Sequence, residues 1–387
     1  MRVLVLGGDG YLGWPTSMHF ANEGHSVYSI DNLSKRKIES EFGVQPLNQI
    51  SPFHERAKSW NLNQKNKINY LISDLLNYKV LCETLEEFKP ETIIHYAEQP
   101  SAPYSMADRE KAVFTQHNNV IGNLNLLFAM KKHCPDAHLV KLGTMGEYGT
   151  PNIDIEEGWL NIEHNGRKDR VLYPKKPGSF YHLSKVHDSA NIEFACRIWG
   201  LRCTDLNQGI VYGILTKEIN KDYESLKTSF HYDSIFGTII NRFIAQIACG
   251  KDITIYGKGN QKRAFLNIND TINCVTIAAN NPPKKGEFRV FNQFTDFCSL
   301  NEIAQKIKDY ADKKNIKTNI TKVKNPRIEQ EEHYYNPKNT SLISLGLKPI
   351  EFNEIEIDKI YKEVKKHKNK VNLETLDPEN GIKWNLG

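Results

Sequence analysis

The sequence predicts an α/β protein with a doubly wound parallel sheet, and three observations support this fold class. Short apolar runs alternate with helix-length amphipathic stretches over the first 210 residues, which is the rhythm of βαβ units. The runs are almost continuously apolar, as expected for parallel strands covered by helices on both faces. A glycine-rich turn follows the first run. The expected strands are residues 3–6, 26–30, 68–72, 92–96, 138–142 and 201–206.

Three long polar segments, residues 35–67, 145–177 and 214–232, interrupt this rhythm and are typical of lids or binding loops. The second should contain a hairpin, because Asn165-Gly166 lies between two short apolar runs. Beyond residue 230 the elements become shorter: helices near 234–249, after Asp270 and over 300–310, and strands at 252–256 and 264–268. We therefore expect a dinucleotide-binding domain over 1–210, with insertions at 35–67 and 145–177. A smaller substrate domain over 211–387 should be partly interleaved with it.

Composition excludes several classes of protein. The 387 residues are 39% hydrophobic and 25% charged with a net charge of +5, which is ordinary for a globular protein and too mixed in sign for a polybasic nucleic-acid binder. The seven cysteines form no C-x-x-C pair, so we expect neither a disulfide framework nor a metal site. No apolar stretch approaches the roughly 18 residues needed to cross a bilayer. We expect a cytoplasmic protein without a membrane or nucleic-acid partner.

The first strand leads into a pattern typical of dinucleotide sites. Gly7, Gly10 and Gly13 stand where a tight turn opens a helix, so backbone N–H groups can face a pyrophosphate. Asp31 ends the second strand, where a carboxylate can accept both ribose hydroxyls and repel a 2′-phosphate, which favours NAD over NADP. Asp74 follows the third strand and is expected either to meet the adenine or to cap a helix.

A tyrosine and a lysine supply the candidate chemistry. Tyr181 and Lys185 are four residues apart and so share one face of a helix. A phenol is a poor base at neutral pH unless a cation stabilises the phenolate, and Lys185 is expected to lower the pKa of Tyr181 in this way. Thr144, at the end of the fifth strand, would hydrogen-bond the same substrate hydroxyl.

Several longer strings resemble the UDP-sulfoquinovose synthases, a group of extended short-chain dehydrogenase/reductases that modify nucleotide sugars. The resemblance implies a Rossmann-like fold, NAD as cofactor, UDP-glucose and sulfite as substrates, and a homodimer formed by helices at 112–133 and 180–199. Apolar residues such as Leu124, Leu127 and Phe128 could instead face the chain's own sheet. The strings are Glu98-Gln99, 101–106 (SAPYSM), 115–120 (TQHNNV), 142–151 (LGTMGEYGTP), 179–187 (SFYHLSKVH) and 288–294 (FRVFNQF).

The implied reaction oxidises the sugar at C4, eliminates water across C5 and C6, adds sulfite at C6 and then reduces C4. Related sugar-nucleotide dehydratases carry an Asp-Glu pair after the threonine, where this chain has Met145-Gly146. Glu147 is therefore expected either to deprotonate C5 or to make a structural bond. His182 is expected to protonate the leaving hydroxyl, to bind sulfite, or simply to pack.

One departure from the synthase pattern concerns the residue that would bind the sulfonate. Plant-type synthases have arginine where this chain has Pro100, so another cation, with Arg109 a candidate, would have to hold the sulfonate. Two other functions stay open: a UDP-hexose 4-epimerase and a non-catalytic NAD-sensing protein.

The motifs and the resemblance together give three sets of expected site residues. The catalytic set is Thr144, Met145, Glu147, Tyr181, His182 and Lys185. The cofactor set is Gly7, Gly10, Tyr11, Leu12, Gly13, Asp31, Asn32, Arg36, Asp74, Leu75, Asn119, Tyr181, Lys185, Gln208 and Val211. The substrate set is Thr144, His182, Asn207, Gln208, Thr238, Arg242, Thr254, Tyr256, Arg263 and Arg327.

Overall fold

The computed structural model describes residues 1–327, 332–377 and 381–384. Its strands are β1 (Arg2–Leu6), β2 (Ser26–Asp31), β3 (Ile68–Ile72), β4 (Thr92–His95), β5 (His138–Thr144), β6 (Trp159–His164), β7 (Arg167–Leu172), β8 (Arg202–Gln208), β9 (Ile210–Tyr212), β10 (Ile253–Tyr256), β11 (Lys262–Asn267), β12 (Phe288–Gln293), β13 (Asp296–Ser299) and β14 (Ile320–Val323).

The longer helices are α1 (Gly13–Asn22), α2 (Ser34–Glu41), α3 (Phe53–Asn63), α4 (Tyr78–Phe88), α6 (Arg109–Gln116), α7 (Gly122–His133), α8 (Phe180–Trp199), α10 (Ile239–Ala248), α11 (Ile268–Asn280), α12 (Leu300–Lys313) and α14 (Glu354–Lys366). Short helices are α5 (Ala102–Ser105), α9 (Tyr223–Leu226), α13 (Thr340–Ser344) and α15 (Leu373–Leu376). A π-helical turn, His117–Ile121, separates α6 from α7, so the helix expected over 112–133 is interrupted.

Within the described residues, seven parallel strands form the central sheet in the order β12-β8-β5-β4-β1-β2-β3. The predicted fold class is confirmed, and all six expected strands lie in this sheet. The side chains of Val3, Leu4, Val5 and Leu6 are fully buried, because helices cover both faces of β1. The seventh strand, β12, was not predicted. It comes from the C-terminal half of the chain and pairs with β8.

The predicted hairpin is also confirmed. Strands β6 and β7 pair antiparallel, with Leu160 opposite Val171. The turn residues Asn165 and Gly166 have φ of +50° and +73°, as the two central positions of a type I′ turn require.

The C-terminal half forms its own apolar core around α10, α12 and α14. Helix α10 begins at Ile239, later than expected, because Thr238 is the N-cap. The expected strands at 252–256 and 264–268 correspond to β10 and β11. The division of the chain at residue 210 stays a prediction. No helix in the described part of the chain has the length and apolar character needed to cross a membrane.

Candidate active site

The turn between β1 and α1 has room for glycine alone. Gly7 has φ of +87°, and a Cβ added there would lie 2.8 Å from the backbone N of Ala97. A Cβ on Gly13 would lie 1.9 Å from the carbonyl oxygen of Gly7. Leu12 is the N-cap of α1 and its side chain accepts no hydrogen bond, while Trp14 donates from its N–H to the carbonyl of Gly10 at 3.3 Å and Pro15 has no N–H. These features fit a dinucleotide.

Asp31 lies at the end of β2 beside this turn. Its carboxylate accepts hydrogen bonds from the backbone N–H groups of Asp9 (2.9 Å) and Leu33 (2.7 Å). Burial, assisted by the negative charge of Asp9, raises the pKa of Asp31 to about 6. Asn32 donates a hydrogen bond to Asp74 at 2.9 Å, so these two expected cofactor residues support each other at the edge of the site.

Two arginines from the 35–67 insertion bind Asp9, in the glycine turn. Arg36 contacts both carboxylate oxygens, at 2.6 and 3.0 Å, and Arg56 on α3 lies 2.5 Å from Oδ1. Arg36 thus forms an ion pair that holds the turn, and its expected contact with the cofactor stays a prediction. Arg56 is fully buried and was missed, although it lies three residues after the buried Phe53, on the same helix face.

Other expected cofactor residues surround the same cleft. Tyr11 donates from its hydroxyl to the carbonyl of Gly213 at 2.5 Å, and with Leu12 packs against Val211. Asn119, in the π-helical turn, donates to Ser184 at 2.9 Å and accepts from the N–H of Gln99. Leu75 packs near Gly122, and Gln208 donates to Gln293.

Ser179 caps helix α8 and thereby fixes the direction in which Tyr181 and Lys185 project. The Nζ atom of Lys185 lies 5.8 Å from the Tyr181 ring centroid, donates to the carbonyl of Leu142 at 2.7 Å and lies 2.6 Å from Oε2 of Glu98. Burial, reinforced by the negative charge of Glu98, raises the pKa of Tyr181. The expected lowering of the Tyr181 pKa by Lys185 is therefore not found in the unliganded protein, in which Glu98 lies against the lysine and offsets its charge.

Glu147 closes the short turn Met145–Glu147 that follows β5. It accepts from the N–H of Thr144 at 3.1 Å and from Ser189 at 3.2 Å, and it also pairs with Lys175. Although burial opposes the shift, Lys141 and Lys175 lower the pKa of Glu147 to about 2. A fully buried carboxylate with these partners is a poor base. These contacts favour the structural alternative for Glu147, and its role as the C5 base stays a prediction.

His182 lies directly over Gly146. A Cβ added to Gly146 would lie 2.3 Å from Nε2 of His182, so the imidazole fills the space that a longer side chain at residue 146 would take. Nδ1 of His182 lies 2.9 Å from the Ser179 hydroxyl, which orients the ring. Burial and then the charge of Arg327 lower the pKa of His182 to about 4, so the unliganded ring is neutral. Met145 is buried beside it, in a cluster that includes Tyr148.

The expected nucleotide contacts fall into two groups. Arg242 donates to the carbonyl of Thr254 at 3.3 Å and stacks 4.8 Å from the ring centroid of Tyr256, and Thr238 starts the helix that carries it. Arg263 and Arg327 lie near His182, since the charge of each lowers the pKa of that ring.

Two further candidates were expected to contact anionic groups. Asn207 is fully buried and donates to the Tyr148 hydroxyl at 2.7 Å, and its expected contact with a diphosphate stays a prediction. Arg109 is exposed at the start of α6.

The glycine turn, Asp31 and the Tyr181–Lys185 pair are together typical of an NAD-dependent enzyme. The sequence model of the NAD dependent epimerase/dehydratase family matches residues 3–292. The UDP-glucose 4-epimerase of Thermotoga maritima, solved with UDP-glucose, superposes with a TM-score of 0.69 at 18% identity over 95% of this chain and 99% of its own. The UDP-glucuronic acid 4-epimerase of Bacillus cereus, solved with UDP-glucuronic acid and NAD, gives the same TM-score, identity and coverage. The chain belongs to this NAD-dependent family.

Two relatives narrow the assignment. The chloroplastic UDP-sulfoquinovose synthase of Spinacia oleracea is 48% identical over 99% of this chain and 79% of its own length. The UDP-sulfoquinovose synthase of Sulfolobus acidocaldarius is 41% identical over 90% of this chain and 88% of its own. Within the broader family, the chain is thus a member of the UDP-sulfoquinovose synthases.

Proposed function

We propose that this protein is an enzyme that converts UDP-glucose and sulfite into UDP-sulfoquinovose, with NAD as cofactor. The observation that carries the proposal is the 48% identity over nearly the whole chain to a synthase of that name. The active site supports it, because Met145-Gly146 and His182 replace the acid pair expected of an ordinary dehydratase.

The glycine turn would hold the pyrophosphate of the cofactor, and Asp31 would accept hydrogen bonds from its adenosine ribose hydroxyls. Bound NAD supplies a hydride acceptor for C4 of the sugar and a hydride donor for the final reduction. Tyr181 takes the proton of the C4 hydroxyl, and Thr144 hydrogen-bonds the same oxygen. The ketone formed at C4 acidifies the hydrogen on C5, and loss of the C6 hydroxyl then gives a conjugated enone whose C6 is electrophilic.

His182 is the group we assign to proton transfer at C5 and C6. Its Nδ1 is engaged by Ser179, which leaves Nε2 facing Gly146 and the sugar site. A neutral imidazole can accept a proton from C5 and return one to the departing hydroxyl. In the unliganded protein, burial and the charges of Arg327 and Arg263 hold the pKa of His182 at about 4. A bound diphosphate and sulfite would add negative charge near the ring, so we expect them to raise this pKa toward neutrality.

Sulfite as the second substrate is also our proposal, and the cations around His182 support it. Pro100 stands where plant-type synthases have arginine, and Arg109 is exposed at the start of α6. Arg263 and Arg327 carry charge close enough to His182 to affect its titration, and a guanidinium suits the planar recognition of a sulfonate. We therefore assign the holding of the sulfonate to these two residues.

We propose that the protein forms a homodimer through the exposed apolar side chains of α7 and α8. Phe128 is 48% exposed, Phe194 49% and Ile198 54%, whereas Leu127 faces the chain's own core. Exposed apolar patches of this kind mark interaction surfaces.

The cellular compartment of this protein stays a prediction. The name of the spinach relative places that protein in the chloroplast, while composition alone favoured the cytoplasm here.

The decisive experiment incubates the protein with UDP-glucose, NAD and sulfite and analyses the products by mass. We expect a sulfonated hexose nucleotide, formed only when sulfite is present and abolished by Tyr181→Phe. Formation of UDP-galactose with no sulfonated product would instead support the 4-epimerase alternative. Binding of NAD without turnover of any UDP-hexose would support the non-catalytic alternative.

A further inference from the structure

A layer of titratable side chains is buried beneath Tyr181, between α8 and the carboxyl ends of β4, β5 and β8. Each of these side chains is 5% exposed or less, which is unusual for titratable groups. We call this set the buried charge layer, and its members are His95, Glu98, Lys141, Glu147, Lys185, Asp188 and Asp205.

Glu98 is the anion that contacts the catalytic lysine. Its Oε2 lies 2.6 Å from Nζ of Lys185, and its Oε1 lies 3.9 Å from Nε2 of His95. Burial lowers the pKa of His95 to about 4, so the histidine is neutral and leaves Lys185 as the main counter-charge of Glu98.

Asp188, one turn after Lys185 on α8, lies against Glu98. Among the described residues, Glu98 is the one side chain that shares a hydrogen bond with its carboxyl group, although Asp188 is fully buried. Two adjacent carboxylates cannot both be charged in such a place, so they share one proton. Burial and the neighbouring Glu98 raise the pKa of Asp188 well above its ordinary value, whereas Lys185 holds that of Glu98 below its own. In the resting protein, Asp188 thus carries the proton and Glu98 is ionised.

We propose that Glu98, with its partner Asp188, accepts the proton displaced during oxidation of the sugar and returns it during the final reduction. This inference rests on the proposed function. Lys185 receives the proton of the Tyr181 hydroxyl while donating one of its own to Glu98. The phenolate takes the proton from O4, and the electron pair of the C4–H bond leaves as hydride to the bound NAD. The C4–O bond becomes a carbonyl, and every proton is kept within the site until the reverse sequence reduces C4.

The charge balance explains why such an acceptor is useful. The nicotinamide ring loses one positive charge when it accepts hydride, and Glu98 loses one negative charge when it accepts the proton. The net charge of the buried site is therefore the same before and after oxidation. Without an internal acceptor, the proton would have to leave a closed site, or an uncompensated anion would stay buried at considerable cost.

A simpler alternative is that Glu98 only positions Lys185. Glu98→Gln separates the two roles, because the amide oxygen can still accept the hydrogen bond of Lys185 but can neither take up a proton nor carry a charge. Glu98→Asp keeps the carboxyl and should recover part of the function. The matched control is Glu218→Gln, which alters another buried carboxylate, one that pairs with His19 instead of the catalytic lysine.

The first measurement follows the reduced nicotinamide formed in a single turnover with UDP-glucose, over a range of pH. We expect Glu98→Gln to slow this oxidation by about 100-fold, to change its pH profile and to leave the KM for UDP-glucose unaltered. Affinities for NAD and NADH, measured by calorimetry without substrate, should shift by about tenfold in favour of NADH, since the counter-charge is lost. Unchanged pH profile and unchanged affinity ratio in Glu98→Gln would overturn the proposal and leave only the positioning role.

A second measurement keeps the test valid if Glu98→Gln fails to fold. The infrared difference spectrum between the NADH and NAD complexes of the unaltered protein should show the gain of a protonated carboxyl group, and Asp188→Asn should shift that band. Absence of any carboxyl change would contradict the inference. Failure of the proposed function looks different, because the unaltered protein would then form no sulfonated sugar whatever the carboxyl spectrum shows.

Discussion

Substitution of Gly146 by alanine should separate C4 oxidation from the later steps of the reaction. The added Cβ would lie 2.3 Å from Nε2, 2.5 Å from Cδ2 and 3.0 Å from Cε1 of His182. The imidazole must therefore move, whereas Tyr181 and Lys185 project from the same helix without contacting residue 146 in this way. The prediction is that only chemistry dependent on His182 is lost.

The size of the effect follows from these distances. Non-bonded carbon and nitrogen atoms rest at about 3.5 Å, so the ring has to shift by about 1 Å. That shift breaks the 2.9 Å contact between His182 and Ser179, worth about 1 kcal/mol. Misplacement of a reacting group by about 1 Å can cost about 100-fold in rate. We expect a loss of this order in sulfonated product and in exchange of the C5 hydrogen with solvent.

The assay compares two signals in one protein preparation. Formation of reduced nicotinamide with UDP-glucose should stay within about threefold of the unaltered enzyme, while deuterium incorporation at C5 falls by about 100-fold. Gly178→Ala is the control, because a Cβ there meets nothing within 4 Å. If Gly146→Ala exchanged the C5 hydrogen at the normal rate, the assignment of His182 to this step would be refuted.

Four further predictions concern the cofactor site, the fold and the oligomer. NAD binding should weaken by about tenfold per pH unit below pH 6, where the free carboxyl of Asp31 becomes protonated and can no longer accept the ribose hydroxyls; calorimetry should find no such dependence in Asp31→Asn. Arg56→Met should lower the free energy of unfolding by about 3 kcal/mol in denaturant titrations, because it leaves the buried Asp9 with one partner instead of two. The depressed pKa of Glu147 contributes stability that is present above about pH 4.5 and lost as the pH falls toward 2. The difference in the free energy of unfolding between the unaltered protein and Glu147→Gln should therefore shrink over this pH range. Phe194→Asp should convert the proposed dimer to a monomer in sedimentation experiments, and an unchanged mass would argue against this surface.

The sequence predicts the middle of the central sheet well because the strands there are buried on both faces. Residues 3–6 are fully buried and form a continuous apolar run, which is easy to recognise, whereas the edge strand β3 is mostly exposed. The hairpin at 159–172 is equally clear, since Asn165-Gly166 selects its turn. Strand β12 is harder to predict. It joins the sheet beside β8 from about 80 residues further along the chain, and that pairing depends on long-range packing.

Two candidate side chains of the site point into the protein for a common physical reason. Sequence position identifies which residues are close to Thr144 along the chain, but not which way each side chain points. Glu147 turns inward because Lys141, in the middle of an otherwise apolar strand, requires a buried anion. Asn207 turns inward toward the Tyr148 hydroxyl for the same kind of reason. Lys141 is the signal that could have revealed the buried charge layer.

The relation between residues 146 and 182 explains how this site departs from that of a dehydratase on the same fold. An acidic side chain at residue 146 would approach the sugar from β5, whereas here an imidazole enters the same space from α8. A carboxylate there would repel sulfite as it approached C6. A ring that is neutral when unliganded, and that lies near Arg263 and Arg327, presents no such barrier. It can also become charged once the anion has arrived, which stabilises both the bound sulfite and the negative charge that develops on the enone during addition. Replacing a carboxylate by histidine at this point therefore changes which nucleophile the enone can meet, while leaving the C4 chemistry of the family intact.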